Sequence, residues 1–102
     1  MTVAYIAGPY RSGTPNGIHE NIQKARKVAL KYWKLGYAVI CPHLNTALMD
    51  GACPDDVWMT GDIEILKRCD VIVMMDGWRG STGASREYAI AKENNITVIE
   101  DS

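Results

Sequence analysis

Two carboxylates occupy positions where the sequence pattern predicts apolar side chains. Asp62 lies within the apolar stripe of a predicted helix, a stripe defined by Met59, Ile63 and Leu66. The neighbours of Glu87 along the next predicted helix are also apolar: Ala84, Tyr88, Ile90 and Ala91. Because a buried, unpaired carboxylate costs several kcal/mol or shifts its pKa, both positions are candidates for catalysis.

A pair of carboxylates is suited to breaking a glycosidic bond. When the two groups are about 5 Å apart, one can attack the anomeric carbon while the other handles the proton of the leaving group. The competing structural interpretation is that either acid caps a loop or pairs with Arg79 or Arg86. Both acids are predicted at the same edge of one sheet, and this favours a functional pair.

The segment Gly80-Ser81-Thr82-Gly83 precedes the helix that carries Glu87 and could bind an anion. Backbone N–H groups at a helix N-terminus, with hydroxyls and glycines beside them, bind phosphate. The same residues also form ordinary helix caps and tight turns. Gly83 and Glu87 lie about 6 Å apart along a helix axis, on the order of the length of a sugar phosphate. Arg11, in the loop after Gly8, could add a bidentate phosphate contact.

Five aromatic or imidazole side chains could complete such a site. Tyr5 lies in the first predicted strand, where a buried hydroxyl needs an acceptor such as a carboxylate. His43 follows the second strand and is a candidate ligand contact; it is not a candidate metal ligand, because the two histidines lack zinc-site spacing. Trp58, Trp78 and Tyr10 could stack on a nucleobase or anchor a homo-oligomer, since aromatic residues are enriched at interfaces.

The pattern of apolar runs predicts a scaffold for these residues in the order βαβαβαβ. Strands are predicted at 2–7, 37–41, 70–75 and 96–100, helices at 20–35, 55–68 and 84–94, and a loop at 43–54. On the first helix, Trp33 is assigned to the buried side. Alternating strands and helices indicate a three-layer, flavodoxin- or Rossmann-like α/β fold. Its four-stranded parallel sheet is predicted in the order 2-1-3-4, with helices on both faces and ligands at the carboxyl ends of the strands.

Composition limits the class of protein. With 11 basic and 12 acidic residues, the net charge of -1 argues against binding a nucleic-acid polymer but allows a small phosphorylated ligand.

The length of 102 residues predicts one domain, 1–102. Three cysteines without a C-x-x-C pair predict reduced thiols in a cytoplasmic protein. The sequence shows neither a signal-peptide pattern nor an apolar run of the ~20 residues that would cross a membrane.

Three short motifs follow one another along the chain. They are Tyr5-Ile6-Ala7-Gly8-Pro9-Tyr10-Arg11, then Asp62-Ile63-Glu64-Ile65-Leu66 continuing into Cys69-Asp70-Val71-Ile72-Val73, then Ser81-Thr82-Gly83-Ala84-Ser85-Arg86-Glu87. Together they resemble the nucleoside 2-deoxyribosyltransferase superfamily over nearly the whole chain. The likeness is closer to the 2'-deoxynucleoside 5'-phosphate N-hydrolases than to the transferases, within a small bacterial and phage branch.

The resemblance implies a role for each matching position. Glu87 matches the nucleophile that attacks C1′ of the deoxyribose and forms a glycosyl-enzyme ester. Asp62 matches the acid that assists the departing base, and Tyr5 matches the tyrosine that orients the nucleophile. The residues that match the 5'-phosphate contacts are Arg11, Ser81 and Gly83. No metal or other cofactor is implied, because the leaving base needs only a proton.

The implied activity is an N-glycosidase that cleaves the base–sugar bond of (deoxy)nucleoside 5'-monophosphates by a retaining double displacement. Base exchange, nucleotide binding without turnover, and an interaction subunit with a vestigial site are the alternatives. The resemblance also implies a difference, since better-known members continue past the position of Ser102 into a strand and helix that help build their dimer. A homodimer or larger assembly is expected here because a chain of this length is too short to close a deep pocket. Ser85 stands where the hydrolases have glycine, and Arg86 either faces solvent or holds an anion that the relatives do not bind.

Overall fold

Four short runs of β-prone residues form the strands of one sheet. They are β1 (Val3–Ala7), β2 (Ala38–Ile40), β3 (Val71–Met74) and β4 (Thr97–Glu100). All three pairings are parallel and the order is β2-β1-β3-β4, so the predicted topology is confirmed. The computed structural model describes residues 1–101; the predicted domain 1–102 also includes Ser102, which lies outside the described residues.

The connections between the strands contain four helices. They are α1 (Pro15–Lys34), α2 (Pro42–Asn45), α3 (Asp55–Leu66) and α4 (Thr82–Glu93), and a short 3-10 turn spans Trp78–Gly80. Within residues 1–101, none of these helices combines the length and the apolar character needed to span a bilayer.

Alternate residues of the central strands pack against opposite helical layers, because successive strand side chains point to opposite faces. One face contributes Tyr5 and Ile72 to a core completed by Leu66 of α3 and Ala91 of α4. The other face packs on α1, in a core that includes Ala4, Ile6, Val71, Val73, Ala25, Ala29 and Tyr32. Every residue of β3 is buried, as expected for a strand that is covered on both faces.

Capping residues move two helix starts away from their predicted positions. α1 begins at Pro15, five residues before the predicted start, because the Thr14 side chain accepts a hydrogen bond from the Gly17 N–H at 3.0 Å. α4 begins at Thr82, two residues early, because Ser81 caps it. The loop predicted at 43–54 was also wrong in part, since Pro42 opens the single helical turn α2 there.

The assignment of Trp33 to the buried side of α1 was wrong. Its side chain is 54% exposed, whereas the preceding Tyr32 is buried and contributes to the core. The physical reason is that Ala25, Ala29 and Tyr32, at helical spacing, form the face of α1 that contacts the sheet, and Trp33 lies outside that face.

Candidate active site

A cavity of about 350 Å³ lies between the carboxyl end of β1, α2 and the first turns of α3 and α4. Its position is the one that the topology of a parallel sheet favours for ligands. Eight of the nine predicted site residues line it: Gly8, Arg11, His43, Asp62, Ser81, Thr82, Gly83 and Glu87. The ninth, Tyr5, lies in β1 behind the cavity and reaches it through Glu87.

The Glu87 carboxylate is held against the end of the sheet by a tyrosine. Tyr5 is fully buried, and its hydroxyl donates a hydrogen bond to Oε2 of Glu87. The pKa of Glu87 is raised to about 7, chiefly by burial and also by the charge of Asp62, while the Tyr5 hydrogen bond and the Arg86 charge act in the opposite direction. Burial and the neighbouring carboxylates also raise the pKa of Tyr5, so its hydroxyl remains a donor.

Asp62 projects from α3 into the same cavity and is half-buried. Burial raises its pKa to about 6. Among residues 1–101, neither Asp62 nor Glu87 forms an ion pair with an arginine, and Arg79 instead contacts Glu100 at 3.4 Å. The two acids therefore both line the cavity, and burial raises the pKa of each.

Only part of the apolar stripe around Asp62 is buried in the core. Leu66 is fully buried, but Met59 is 38% exposed, and both Met59 and Ile63 line the cavity. The prediction of a continuous buried stripe was wrong because the N-terminal turns of α3 face the cavity and only the last turn packs on the sheet. Trp58 also lines the cavity, and its buried indole N–H finds no acceptor in the part of the chain that the structure describes.

The N-terminus of α4 offers backbone donors to the cavity. Ser81 caps the helix: its Oγ accepts from the Ala84 N–H at 3.2 Å, and its carbonyl accepts from the Ser85 N–H at 2.9 Å. The N–H groups of Thr82 and Gly83 have no hydrogen-bond partner within residues 1–101. A Cβ at Gly83 would meet no atom within 4 Å, so the space beside these two amides is open.

Arg11 forms an ion pair with an acid that the sequence marks only as the start of a helix. Its guanidinium lies 2.6 Å from Oδ1 of Asp55, the first residue of α3. The neighbouring Tyr10 hydroxyl donates to Asp50 at 2.6 Å. Both acids line the cavity, and their role as partners could not be read from the sequence, because it depends on how the segment between α2 and α3 packs against the loop after β1.

His43 and Gly8 position the loop after β1. His43 is 6% exposed, its Nε2 lies 2.8 Å from the Pro9 carbonyl oxygen, and burial lowers its pKa, so the neutral ring donates to Pro9. A Cβ at Gly8 would lie 2.7 Å from the Cβ of Met75, so only glycine fits there. Within residues 1–101, no group of three or more His, Cys, Asp or Glu side chains could hold a metal ion.

Trp78 is not available to stack on a ligand or to anchor an interface. It is 8% exposed, stacks on Tyr88 with ring centroids 4.6 Å apart, and donates from Nε1 to Glu100 at 3.1 Å. That part of the aromatic prediction was wrong, because the 3-10 turn folds the indole onto α4. Trp58 and Tyr10, by contrast, both line the cavity.

Comparison with known proteins places this architecture in a family. The profile of a family described as a domain of unknown function, DUF4406, matches residues 2–100. A search of curated proteins gives no match. A solved 2-deoxyribosyltransferase from the psychrotolerant bacterium Bacillus psychrosaccharolyticus superposes with a TM-score of 0.69 over 97% of this chain and 71% of its own, at 19% identity. The chain therefore belongs to the DUF4406 family, and its fold is that of a 2-deoxyribosyltransferase.

Proposed function

We propose that the cavity is the active site of an N-glycosidase that cleaves the base–sugar bond of (deoxy)nucleoside 5'-monophosphates. The observation that carries the proposal is the hydrogen bond from buried Tyr5 to Glu87, which holds a carboxylate of raised pKa at the cavity wall beside Asp62. If Asp62 and Glu87 had only a structural role, we would expect both to contact a shared cation or proton donor. Asp62 has no such partner within residues 1–101.

In the first step, the ionised Glu87 attacks C1′ of the sugar. Tyr5 binds Oε2, so Oε1 is free to form the ester bond while the C1′–N bond breaks and its electron pair passes to the base. Protonated Asp62 donates its proton to the departing base. In the second step, water attacks C1′ as the ester bond between C1′ and Oε1 breaks, and the Asp62 carboxylate accepts the proton of the water. Glu87 is thereby regenerated as a carboxylate and the sugar phosphate is released.

The phosphate of the substrate is proposed to bind at the N-terminus of α4. The free N–H groups of Thr82 and Gly83, together with the Ser81 hydroxyl as donor, form a set of hydrogen-bond donors at the positive end of the helix dipole. Arg11 is the cation that the family resemblance implies for this contact, and it must exchange its bond to Asp55 to make one.

Base exchange is the second candidate, favoured by the likeness of the fold to a 2-deoxyribosyltransferase. In that reaction a second base, instead of water, attacks the glycosyl-enzyme ester. The chemistry of Glu87 is the same in both cases, so the two candidates differ only in the acceptor.

A chromatographic assay tests these proposals. The protein is incubated with nucleosides and nucleoside 5'-monophosphates of the ribo and deoxy series, with and without a second free base. Release of base by the wild type and not by Glu87→Gln supports the glycosidase; a new nucleotide formed with the added base indicates transfer. Glu93→Gln, an exposed acid at the end of α4, is the matched control. If no base is released but a monophosphate raises the Tm of both proteins, the chain is a nucleotide-binding module.

A further inference from the structure

Two arginines line the cavity, and they differ in what already binds them. Arg11 lies 2.6 Å from the carboxylate of Asp55. Arg86 makes no ion pair within residues 1–101, and its Nη1 makes only a weak polar contact there, at 3.5 Å from the sulfur of Met59. Arg86 is therefore a cavity-lining cation whose charge no carboxylate neutralises by direct contact.

We propose that Arg86, rather than Arg11, is the cation that binds the anionic group of the ligand. This inference rests on the proposed function, since it assigns the phosphate of that substrate to a residue. It differs from the role that the family resemblance gives to Arg11. It also assigns a binding role to Arg86, the residue that precedes Glu87.

The placement of Arg86 on α4 supports the assignment. Thr82 and Arg86 are four residues apart, so they share one face of the helix, and helical side chains lean towards the N-terminus. Arg86 is exposed, and a helical side chain at this position leans towards the free N–H groups of the first turn. Its contact with Met59 of α3 keeps the guanidinium over the cavity that both helices border. A phosphate at the helix N-terminus would lie within reach of both donors.

The two arginines differ in the electrostatic cost of binding a phosphate. A guanidinium and a carboxylate in contact form a nearly neutral pair, and a phosphate that recruits Arg11 must displace Asp55 or accept its charge as a neighbour. Arg86 requires no such exchange. Its nearest ionisable neighbour in the chain is Glu87, whose pKa it lowers, so its charge also favours the ionised nucleophile.

The experiment compares Arg86→Gln with Arg11→Gln, using Arg79→Gln as the control that lies outside the cavity. For each variant, kcat/KM is measured with a 5'-monophosphate and with the matching nucleoside, and their ratio isolates the phosphate contact from any effect on Glu87. Since hydrogen bonds to charged groups contribute about 1.5–3 kcal/mol, Arg86→Gln should lower the ratio about 10- to 100-fold. Arg11→Gln should lower it less than about 3-fold. Arg86→Lys should restore part of the loss, because it restores the charge.

A larger fall of the ratio in Arg11→Gln than in Arg86→Gln would overturn the proposal. Equal losses for nucleoside and monophosphate in Arg86→Gln would also overturn it, because they would show that Arg86 acts on Glu87 alone.

A binding measurement keeps this test separate from the proposed reaction. In a Glu87→Gln background, calorimetry gives the Kd for each of the four deoxynucleoside 5'-monophosphates and for the corresponding nucleosides. A monophosphate preference that Arg86→Gln removes supports the assignment even if the wild type releases no base. If no monophosphate binds in preference to its nucleoside, the anion site itself is wrong.

Discussion

At the scale of single residues, burial decides the protonation of the two cavity acids and therefore the pH range of the proposed reaction. The pKa of Glu87 is raised to about 7 and that of Asp62 to about 6, in both cases chiefly by burial. The reaction requires Glu87 ionised and Asp62 protonated. Because the pKa of Glu87 lies above that of Asp62, this is the less populated of the two forms that hold one proton, and its population rises and then falls as the pH increases. We therefore expect kcat/KM to follow a bell-shaped pH profile. Its maximum is expected at about pH 6.5, midway between the two values. A rate that rises steadily from pH 5 to 9 would exclude Asp62 as the acid.

The same burial should make the ionised Glu87 carboxylate destabilise the folded protein. In the folded protein the pKa of Glu87 lies above its ordinary value of 4.5, so the folded state holds the proton more tightly than the unfolded state. The stability that this proton provides is present below about pH 4.5 and is lost as the pH rises through about 7. Glu87→Gln removes the ionisation and should therefore raise the free energy of unfolding at pH 8 by on the order of 1–3 kcal/mol.

Thermal unfolding at several pH values checks this prediction. The Tm of Glu87→Gln should exceed that of the wild type by several degrees at pH 8, and the difference should shrink as the pH falls towards 4.5. A Tm difference that does not depend on pH would mean that the carboxylate is solvated in the folded protein.

The candidate residues were largely visible in the sequence, while their contacts were not. Asp62 and Glu87 stand out because a carboxylate among helically spaced apolar residues implies burial that needs a reason. The bond between Arg11 and Asp55 joins residues 44 positions apart through an irregular segment, and no local pattern encodes such a contact. His43 lines the cavity, and its Nε2 lies 2.8 Å from the Pro9 carbonyl oxygen, so its contact with a ligand stays a prediction.

At the scale of elements, the alternation of strands and helices was sufficient to predict the sheet order, because a parallel sheet with short crossovers allows few arrangements. Helix starts were less certain. The pair Thr14-Pro15 and the residue Ser81 are capping signals that outweigh the apolar periodicity on which the predicted starts relied.

Two glycines at the cavity should respond oppositely to a methyl group. Gly8→Ala places a Cβ against Met75, which must displace the loop after β1, and should lower the free energy of unfolding by about 1–3 kcal/mol. Gly83→Ala enters open space on a helix and should leave the Tm unchanged or higher, while weakening monophosphate binding. Thermal melts with and without a nucleotide monophosphate measure both effects. Equal destabilisation by the two variants would contradict the packing described for Gly8.

At the scale of the whole molecule, an exposed apolar pair on α1 suits the expected self-association. Leu30 and Trp33 are 46% and 54% exposed, and their spacing of three residues places them on one face of the helix. Large exposed apolar side chains in a cluster are typical of interfaces. We expect Trp33→Glu to shift the protein towards monomer in sedimentation velocity, with Lys24→Glu on the same helix as the control for charge. A wild type that is already monomeric at high micromolar concentration would contradict this expectation.

The central claim is that Glu87 forms a covalent bond to the sugar, and trapping that bond tests it most directly. Asp62→Asn removes both the acid of the first step and the base of the second, so the ester should accumulate when the substrate carries a base that departs readily without a proton from the enzyme. After this variant is mixed with such a monophosphate, chosen among those that the wild type cleaves, rapid acid quench and intact-protein mass spectrometry should show an added sugar phosphate. Peptide mapping should place it on the α4 peptide that contains Glu87. Base release by Glu87→Gln at the wild-type rate, or an adduct on another peptide, would contradict the account.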